Sequence, residues 1–220
     1  MLLFSIRFCF PIFNKVYQYF FIVSILYYPK CLDIWGSIGF DVIENQFDLI
    51  NGRTPEEYFN NEDEVQVLKT KQIRNEVINY EKVVYSKKKF IQNTLEEKDI
   101  LFASMGVGSL GRTGIFYNFE TNKKTAVDST IKLLRKIKNI EPEVLQTFFN
   151  SIIGQEYIYR YIVGSTGIIS IKNAFILNLK VPLIKQEIQT KIAKKLNILL
   201  IQINKNFIYH PMFIARWKML

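Results

Sequence analysis

Gly106, Gly108 and Gly111 stand in the order GxGxxG, a spacing that lets backbone cradle a pyrophosphate. That chemistry needs a strand before the glycines and a helix N-terminus after them. Here the run 100–103 (ILFA) reads as a buried strand, but 115–119 (IFYNF) is apolar and aromatic and reads as a second strand. The glycines therefore predict a hairpin loop and not a dinucleotide site. Such a loop still lets backbone approach a ligand closely. With Ser109 inside it and Arg112 at its edge, a phosphate or a DNA groove is the ligand expected there.

Other reactive arrangements are missing from the sequence. There is no GKS or GKT phosphate loop, and Asn never precedes Pro as a methyltransferase NPPY-type motif requires. Val107 and Val163 stand where a GxSxG elbow around Ser109 or Ser165 needs glycine. Glu96-Glu97-Lys98 has the ExK part of a nuclease site, but lies in an acidic turn without an evident partner. Asp128, beside Ser129 and Thr130, reads as a turn or strand-end residue. One histidine, His210, and two cysteines, Cys9 and Cys31, exclude a His/Cys metal cluster and a disulfide framework. No metal, no cofactor and no catalytic residue is expected.

Binding chemistry fits better. The 220 residues carry 29 Lys and Arg against 20 Asp and Glu, a net charge of +9. The net charge is −1 over residues 1–49, +4 over 50–140 and +6 over 141–220. A chain that is 49% apolar and 22% charged builds a core, and its surplus of cations suits an anionic partner. Groove recognition needs Arg, Lys, Asn and Gln on loops, with phosphate contacts from lysines and backbone amides. Lys69, Lys71, Gln72, Arg74 and Asn75 cluster in that way, and Lys87, Lys88, Lys89 and Arg112 are phosphate candidates. Solvated surface charge is the competing reading for each of them.

The elements that must position these residues follow from hydropathy. Residues 40–50 alternate loosely and end in the turn signal Asn51-Gly52. Thr54-Pro55 predicts a helix start or a tight turn. Strands are expected over 65–69, 76–85, 100–103, 115–119 and 130–135, with a loop over 71–75. Helical spacing begins at Pro142 and runs to about Tyr161, with Gly154 as a soft point. Short strands are expected over 168–171 and 175–181, and Pro182 is expected to break the chain. From Leu183 a long helix carries Ile184, Ile188, Ile192, Leu196, Leu199, Ile203 and Phe207 at spacings of three or four. That stripe either closes the core or meets a partner helix. The fold class is α+β.

Residues 1–29 are apolar and dense in aromatic residues, with Arg7 and Lys15 as the only charges. The longest uncharged run, 16–29, falls short of the about 20 residues that a membrane span needs. The expectation is a buried helix or a start placed too far upstream. A membrane anchor and a signal peptide are the alternatives.

The ordered set of segments resembles a known family. NGRTP (51–55) is followed by VLKTKQIRN (67–75), KDILFASMGVGSLGRTGIF (98–116) and GSTGIISIKNAFILNLKVPLIKQEIQTKIAKKLN (164–197). Over about residues 38–205 the chain resembles the DNA-specificity subunit of type I restriction-modification systems. The resemblance implies a mixed α/β target-recognition globule with a glycine-rich hairpin, reading one half of a split site in double-stranded DNA. A long coiled-coil-type helix then sets the spacing to the other half. It implies a non-catalytic subunit that holds the adenine methyltransferase (modification) subunits and, through them, the restriction subunit.

Carried onto this sequence, Gly52, Arg53, Thr54 and Pro55 match the first turn. Gly106, Gly108 and Gly111 match the hairpin, and Ser165, Thr166 and Gly167 match the loop before the last strands. Pro182 and Gln186 match the start of the spacer helix. The division implied is an extension over 1–36, a recognition domain over 37–181, a spacer or dimerisation helix over 182–209 and a tail over 210–220. A typical subunit has two recognition domains and two helices, whereas this chain has one of each. It resembles a half-subunit that forms a homodimer through the C-terminal helix, or a fragment of a broken gene. A recognition domain detached from a fused enzyme and a membrane-tethered binding module are the other readings. A cytoplasmic location is expected.

Overall fold

A computed structural model describes residues 39–59, 64–74, 77–117, 123–165 and 168–209; of residues 165, 168 and 200–209 it describes the backbone alone. The chain divides into Met1–Gly39 and Phe40–Leu220, and the description concerns the second unit. The expectations for 1–36 and 210–220 lie outside the described residues. Among the described residues no helix is long and apolar enough to cross a membrane.

In chain order the elements are β1 (Gly39–Val42), α1 (Ile43–Gln46), β2 (Phe47–Asn51), β3 (Val65–Leu68), β4 (Ile73–Arg74), β5 (Val77–Ile78), β6 (Val84–Ser86), β7 (Ile100–Ala103), β8 (Thr113–Ile115), β9 (Thr125–Val127) and β10 (Ile131–Lys136). Then follow α2 (Pro142–Asn150), α3 (Ile152–Tyr159), β11 (Val163–Ser165), β12 (Ile168–Ser170), α4 (Asn173–Leu177), β13 (Lys180–Leu183) and α5 (Gln186–Tyr209). Single 3-10 turns lie at Thr70–Gln72 and Lys88–Phe90. The class is α+β, as the sequence predicts.

The centre is an antiparallel sheet in the order β2-β10-β7-β8. Strand β7 is apolar throughout because both its faces are covered, and Ile100, Leu101, Phe102 and Ala103 are all fully buried. Leu101 and Ala103 join Leu68, Ile73, Ile78, Leu95, Phe116, Val127, Ile131 and Leu133 in one core. On the other face Phe102 meets Phe149 of α2 edge to face, with ring centroids 5.7 Å apart. A second sheet, β6-β3-β9, pairs β3 with β9 in parallel, Gln66 opposite Thr125 and Leu68 opposite Val127.

Several expectations are corrected. Thr54-Pro55 starts no helix and lies in a loop, because the backbone of Gly52 and Arg53 just before it and the Thr54 hydroxyl are tied to the 127–131 segment. The 76–85 strand is two short ones, β5 and β6, split by a turn in which Lys82 has φ +54°. The strand after the glycines is three residues, starting at Thr113 and ending at Ile115. The helix from Pro142 breaks at Ser151, whose extended backbone and Oγ (accepting from Gly154 N at 3.1 Å) cap α3. Residues 175–181 are no strand: the apolar run is the end of α4 and the start of β13. Pro182 does not break the chain but lies within β13, which among the described residues pairs with β1 alone, an edge position of the kind that tolerates proline. The long helix starts at Gln186, which leaves Ile184 outside it.

The Lys136 end of the central sheet is held by paired charges. Asp99 is 1% exposed and takes Arg135 in a fork, Nε to Oδ1 at 2.9 Å and Nη2 to Oδ2 at 2.7 Å. It also accepts the Glu96 N–H at 2.8 Å. Asp99→Ala leaves these donors facing a buried void and is expected to cost about 3 kcal/mol. For a domain near this size that lowers the melting temperature by about 6–12 °C, readable by circular dichroism.

Nearby, Glu141 takes Lys136 Nζ at 2.8 Å, with Lys98 Nζ at 3.9 Å. Burial pushes the Glu141 carboxyl up, but the Lys136 hydrogen bond and the two ammonium charges outweigh it and hold the group below its ordinary 4.5. A carboxyl depressed on folding stabilises above its unfolded pKa and loses that contribution as pH falls. Denaturant midpoints should therefore drop less between about pH 5 and 3 in Glu141→Gln than in the parent.

Candidate nucleic-acid interface

Antiparallel pairing puts the end of β2, the start of β10, the end of β7 and the start of β8 together at one edge. The loops 52–54, 128–130 and 104–112 all leave from that edge. They are tied to one another by backbone bonds. Gly52 N donates to Ile131 O and Arg53 N to Val127 O, both at 3.1 Å, and Ser104 N donates to Thr130 O at 2.9 Å. Thr54 Oγ1 and Ser129 Oγ lie 2.7 Å apart, and Thr130 bonds the Asp128 carboxylate through both its N–H and its hydroxyl. Asp128 is thus a turn residue.

The glycine segment is a hairpin loop, with a strand on each side. Gly106, Gly108 and Gly111 have φ of +106°, +74° and +81°, a region that side chains with a Cβ rarely enter. The loop is pinned on all sides. Gly106 N donates to Ile169 O of β12 at 3.1 Å, and Gln155 of α3 donates to Gly111 O at 3.1 Å. Ser109 Oγ is spent on Met105 O at 3.0 Å. The β11–β12 hairpin therefore flanks the glycine loop. Ser165 contributes backbone there, while its side chain and the whole of Thr166 lie outside the description.

Several of the polar and cationic candidates lie at the loop edge. Arg53, Thr54, Lys71 and Arg74 are exposed at or near the loop edge. Lys69 sits over the Tyr58 ring, 3.7 Å from its centroid, and burial and the charge of Asp128 push the Tyr58 phenol up. Arg112 is half-buried, and β4 with β5 packs on β8 just beyond it, bringing Arg74 near. Burial, and then the charge of Arg74, pull the Arg112 guanidinium down. Burial alone pulls Lys132 down; its Nζ donates to Ser129 O at 3.4 Å. Among the described residues none of Arg53, Lys71, Arg74, Arg112 and Lys132 has a carboxylate partner, whereas Lys98, Arg135 and Lys136 at the far end are all paired.

Other expected contacts fall elsewhere. The Gln72 amide is buried, accepting from Lys69 N at 3.0 Å and donating to Glu81 O at 3.3 Å, so it is turned away from any groove. Lys87, Lys88 and Lys89 are exposed but follow Ser86, which pairs with the opposite end of β3 from Lys69. Lys87 lies over Phe59 and Lys89 over Phe90. Asn75 lies outside the described residues. The ExK residues are spent structurally: Glu96 holds Arg135 and Lys98 holds Glu143. The sequence reading missed Tyr58 and Lys132. An aromatic residue followed at distance by lysine gave no signal, and Lys132 was hidden as the second residue of an alternating strand.

Helix α5 packs on α2 through Gln189, which accepts from Glu141 N at 2.8 Å and donates to Ile184 O at 2.9 Å. The apolar stripe is shared between protein and solvent. Ile192 and Leu196 are half-buried, while Ile188 and Leu199 are each 47% exposed. The Ile203 side chain is outside the description.

No family model and no curated protein matches the chain. Solved structures do. The HsdS subunit from Thermoanaerobacter tengcongensis matches with a TM-score of 0.54 at 15% identity, over 76% of this chain and 38% of that one. The type I restriction-modification S subunit from M. genitalium matches with a TM-score of 0.51 at 18% identity, over 83% of this chain and 49% of that one. The type IIG restriction endonuclease BpuSI matches with a TM-score of 0.54 at 12% identity, over 72% of this chain and 26% of that one. The chain thus spans less than half the length of each. With its central sheet, glycine hairpin and trailing helix, it has the fold of the S subunits of type I restriction-modification systems.

Proposed function

We propose that the chain is a DNA-recognition component of a type I restriction-modification system. The loop edge of the central sheet binds double-stranded DNA. The modification subunit docks on the chain and brings the restriction subunit with it. The observation that carries this reading is the gathering of Arg53, Lys71, Arg74, Arg112 and Lys132, without carboxylate partners among the described residues, at the end of the central sheet that bears the glycine loop, whereas Lys98, Arg135 and Lys136 at its other end are paired. Cations left without carboxylates are what a phosphate backbone requires. In this reading residues 37–181 are the recognition domain, and 182–209 lead into the spacer helix. The half-exposed stripe of Ile188, Ile192, Leu196 and Leu199 meets a second helix, that of a twin chain in a homodimer. The chain needs no cofactor, catalyses nothing itself and works in the cytoplasm.

The test is co-purification with a modification subunit, followed by duplex binding at two salt concentrations. Retention of the subunit with salt-sensitive, sequence-selective binding supports the proposal. Methyl transfer by the purified chain alone would overturn it. The likeness to a type IIG endonuclease favours one second reading, a recognition domain belonging to a fused enzyme. A methyltransferase or nuclease reading frame continuous with this one would decide for it.

A further inference from the structure

Val107, at the tip of the glycine hairpin, is 70% exposed, and Met105 at its base is 40% exposed. Exposed apolar side chains at a loop tip are ordinary when the loop is loose. This loop is fixed. Within it Ser109 N and Leu110 N both donate to Gly106 O, Gly111 N donates to Ala103 O, and Arg112 N donates to Ser109 O. Leu110 is buried beneath, so one apolar residue of the loop is packed while Val107 is held out. Gly108 beside it has nothing within 4 Å of where a Cβ would lie. Arg112 closes the loop, Arg74 lies near Arg112, and Arg53 leaves from the same end of the sheet, all three without carboxylate partners among the described residues.

We propose that the hairpin is a major-groove probe, with Val107 meeting the apolar edge of thymine bases while the flanking arginines hold phosphates. The proposal rests on the DNA-recognition reading above and names the residue of that site that touches bases. A valine gains nothing from a phosphate. The one apolar group on a base-pair edge is the thymine 5-methyl, and it lies in the major groove. Two strands about 4.8 Å apart, with their side chains, fit a groove about 12 Å wide and not one about 6 Å wide.

The test uses the full chain and a 30-base-pair duplex of random sequence with 5-bromodeoxyuridine in place of thymidine. The bromine then stands where the methyl was. Val107→Tyr places a photoreactive partner at the tip, where the side chain has open space. Ile137→Tyr, exposed just beyond the far end of β10, is the control. Ultraviolet cross-linking should give at least about five times more adduct at position 107 than at 137. Equal adduct from the two variants, with duplex binding intact, would overturn the probe and leave the DNA reading standing. Failure of the parent chain to bind the duplex at low salt would sink both.

Discussion

Replacing Gly52 by alanine is expected to lower the melting temperature by about 10–15 °C. Conformation is not the cause, since Gly52 is not among the glycines with positive φ. Space is. A Cβ at this position would lie 2.0 Å from Asp128 O and 2.7 Å from Ile131 O, both backbone atoms. Neither can swing aside as a side chain would. The segment crosses directly over 128–131, and the crossing is what makes the bonds Gly52 N to Ile131 O and Arg53 N to Val127 O. Admitting a methyl group parts the two segments, breaks both bonds and separates the central sheet from β9. Strained overpacking with lost backbone bonds costs about 3–5 kcal/mol. Gly108→Ala is the matched control, with φ +74° but open space around it, and should cost only about 1–2 kcal/mol. Thermal melts of the two variants check the contrast. A Gly52→Ala protein as stable as Gly108→Ala would mean that the crossing is looser than the hydrogen bonds indicate.

What the sequence made legible follows from the range of the interactions. The glycine hairpin, β7 and β10 are written in local pattern: an apolar run, a turn rich in glycine, an alternating strand. Strand β9 is not. Its three residues are held by parallel pairing with β3, and a partner so distant leaves no local period. The break at Ser151 was hidden because the apolar spacing runs through it, and only the serine's bond to Gly154 N fixes the boundary. The run ending in Leu177 was short and apolar, a pattern that helices and strands share. For the site, local sequence gave the clusters of cations but not their destinations. Lys69 and Lys87 are alike in composition, yet β3 carries one to the loop edge and its pairing with β6 puts the other at the far end. Gln72 shows the same limit: its type suits a base edge, and the 3-10 turn points it into the protein.

The second large effect separates binding from stability. Changing Arg53, Lys71, Arg74 and Arg112 together to glutamine is expected to reduce the slope of log K against log salt by about 3–4, since each neutralised phosphate contributes about 0.9. At physiological salt that amounts to a loss of about a thousandfold in affinity for a random duplex. The melting temperature should fall by only a few degrees. None of the four is in an ion pair among the described residues, so no described carboxylate loses a partner. Burial and the neighbouring Arg74 charge already disfavour the charge on Arg112, and Arg74 gives up one hydrogen bond, Nε to Lys71 O at 3.2 Å. The same change at Lys87, Lys88 and Lys89 removes three charges but lies away from the loop edge, and should lower the slope by about 1 at most. Fluorescence anisotropy across a salt series reads both sets. If the lysine triplet costs as much as the four loop-edge residues, the DNA lies along the β6 side of the small sheet and the glycine hairpin is not its contact. If only the four matter, residues without ion pairs among the described residues contribute most of the affinity, as expected of side chains whose partner is outside the protein.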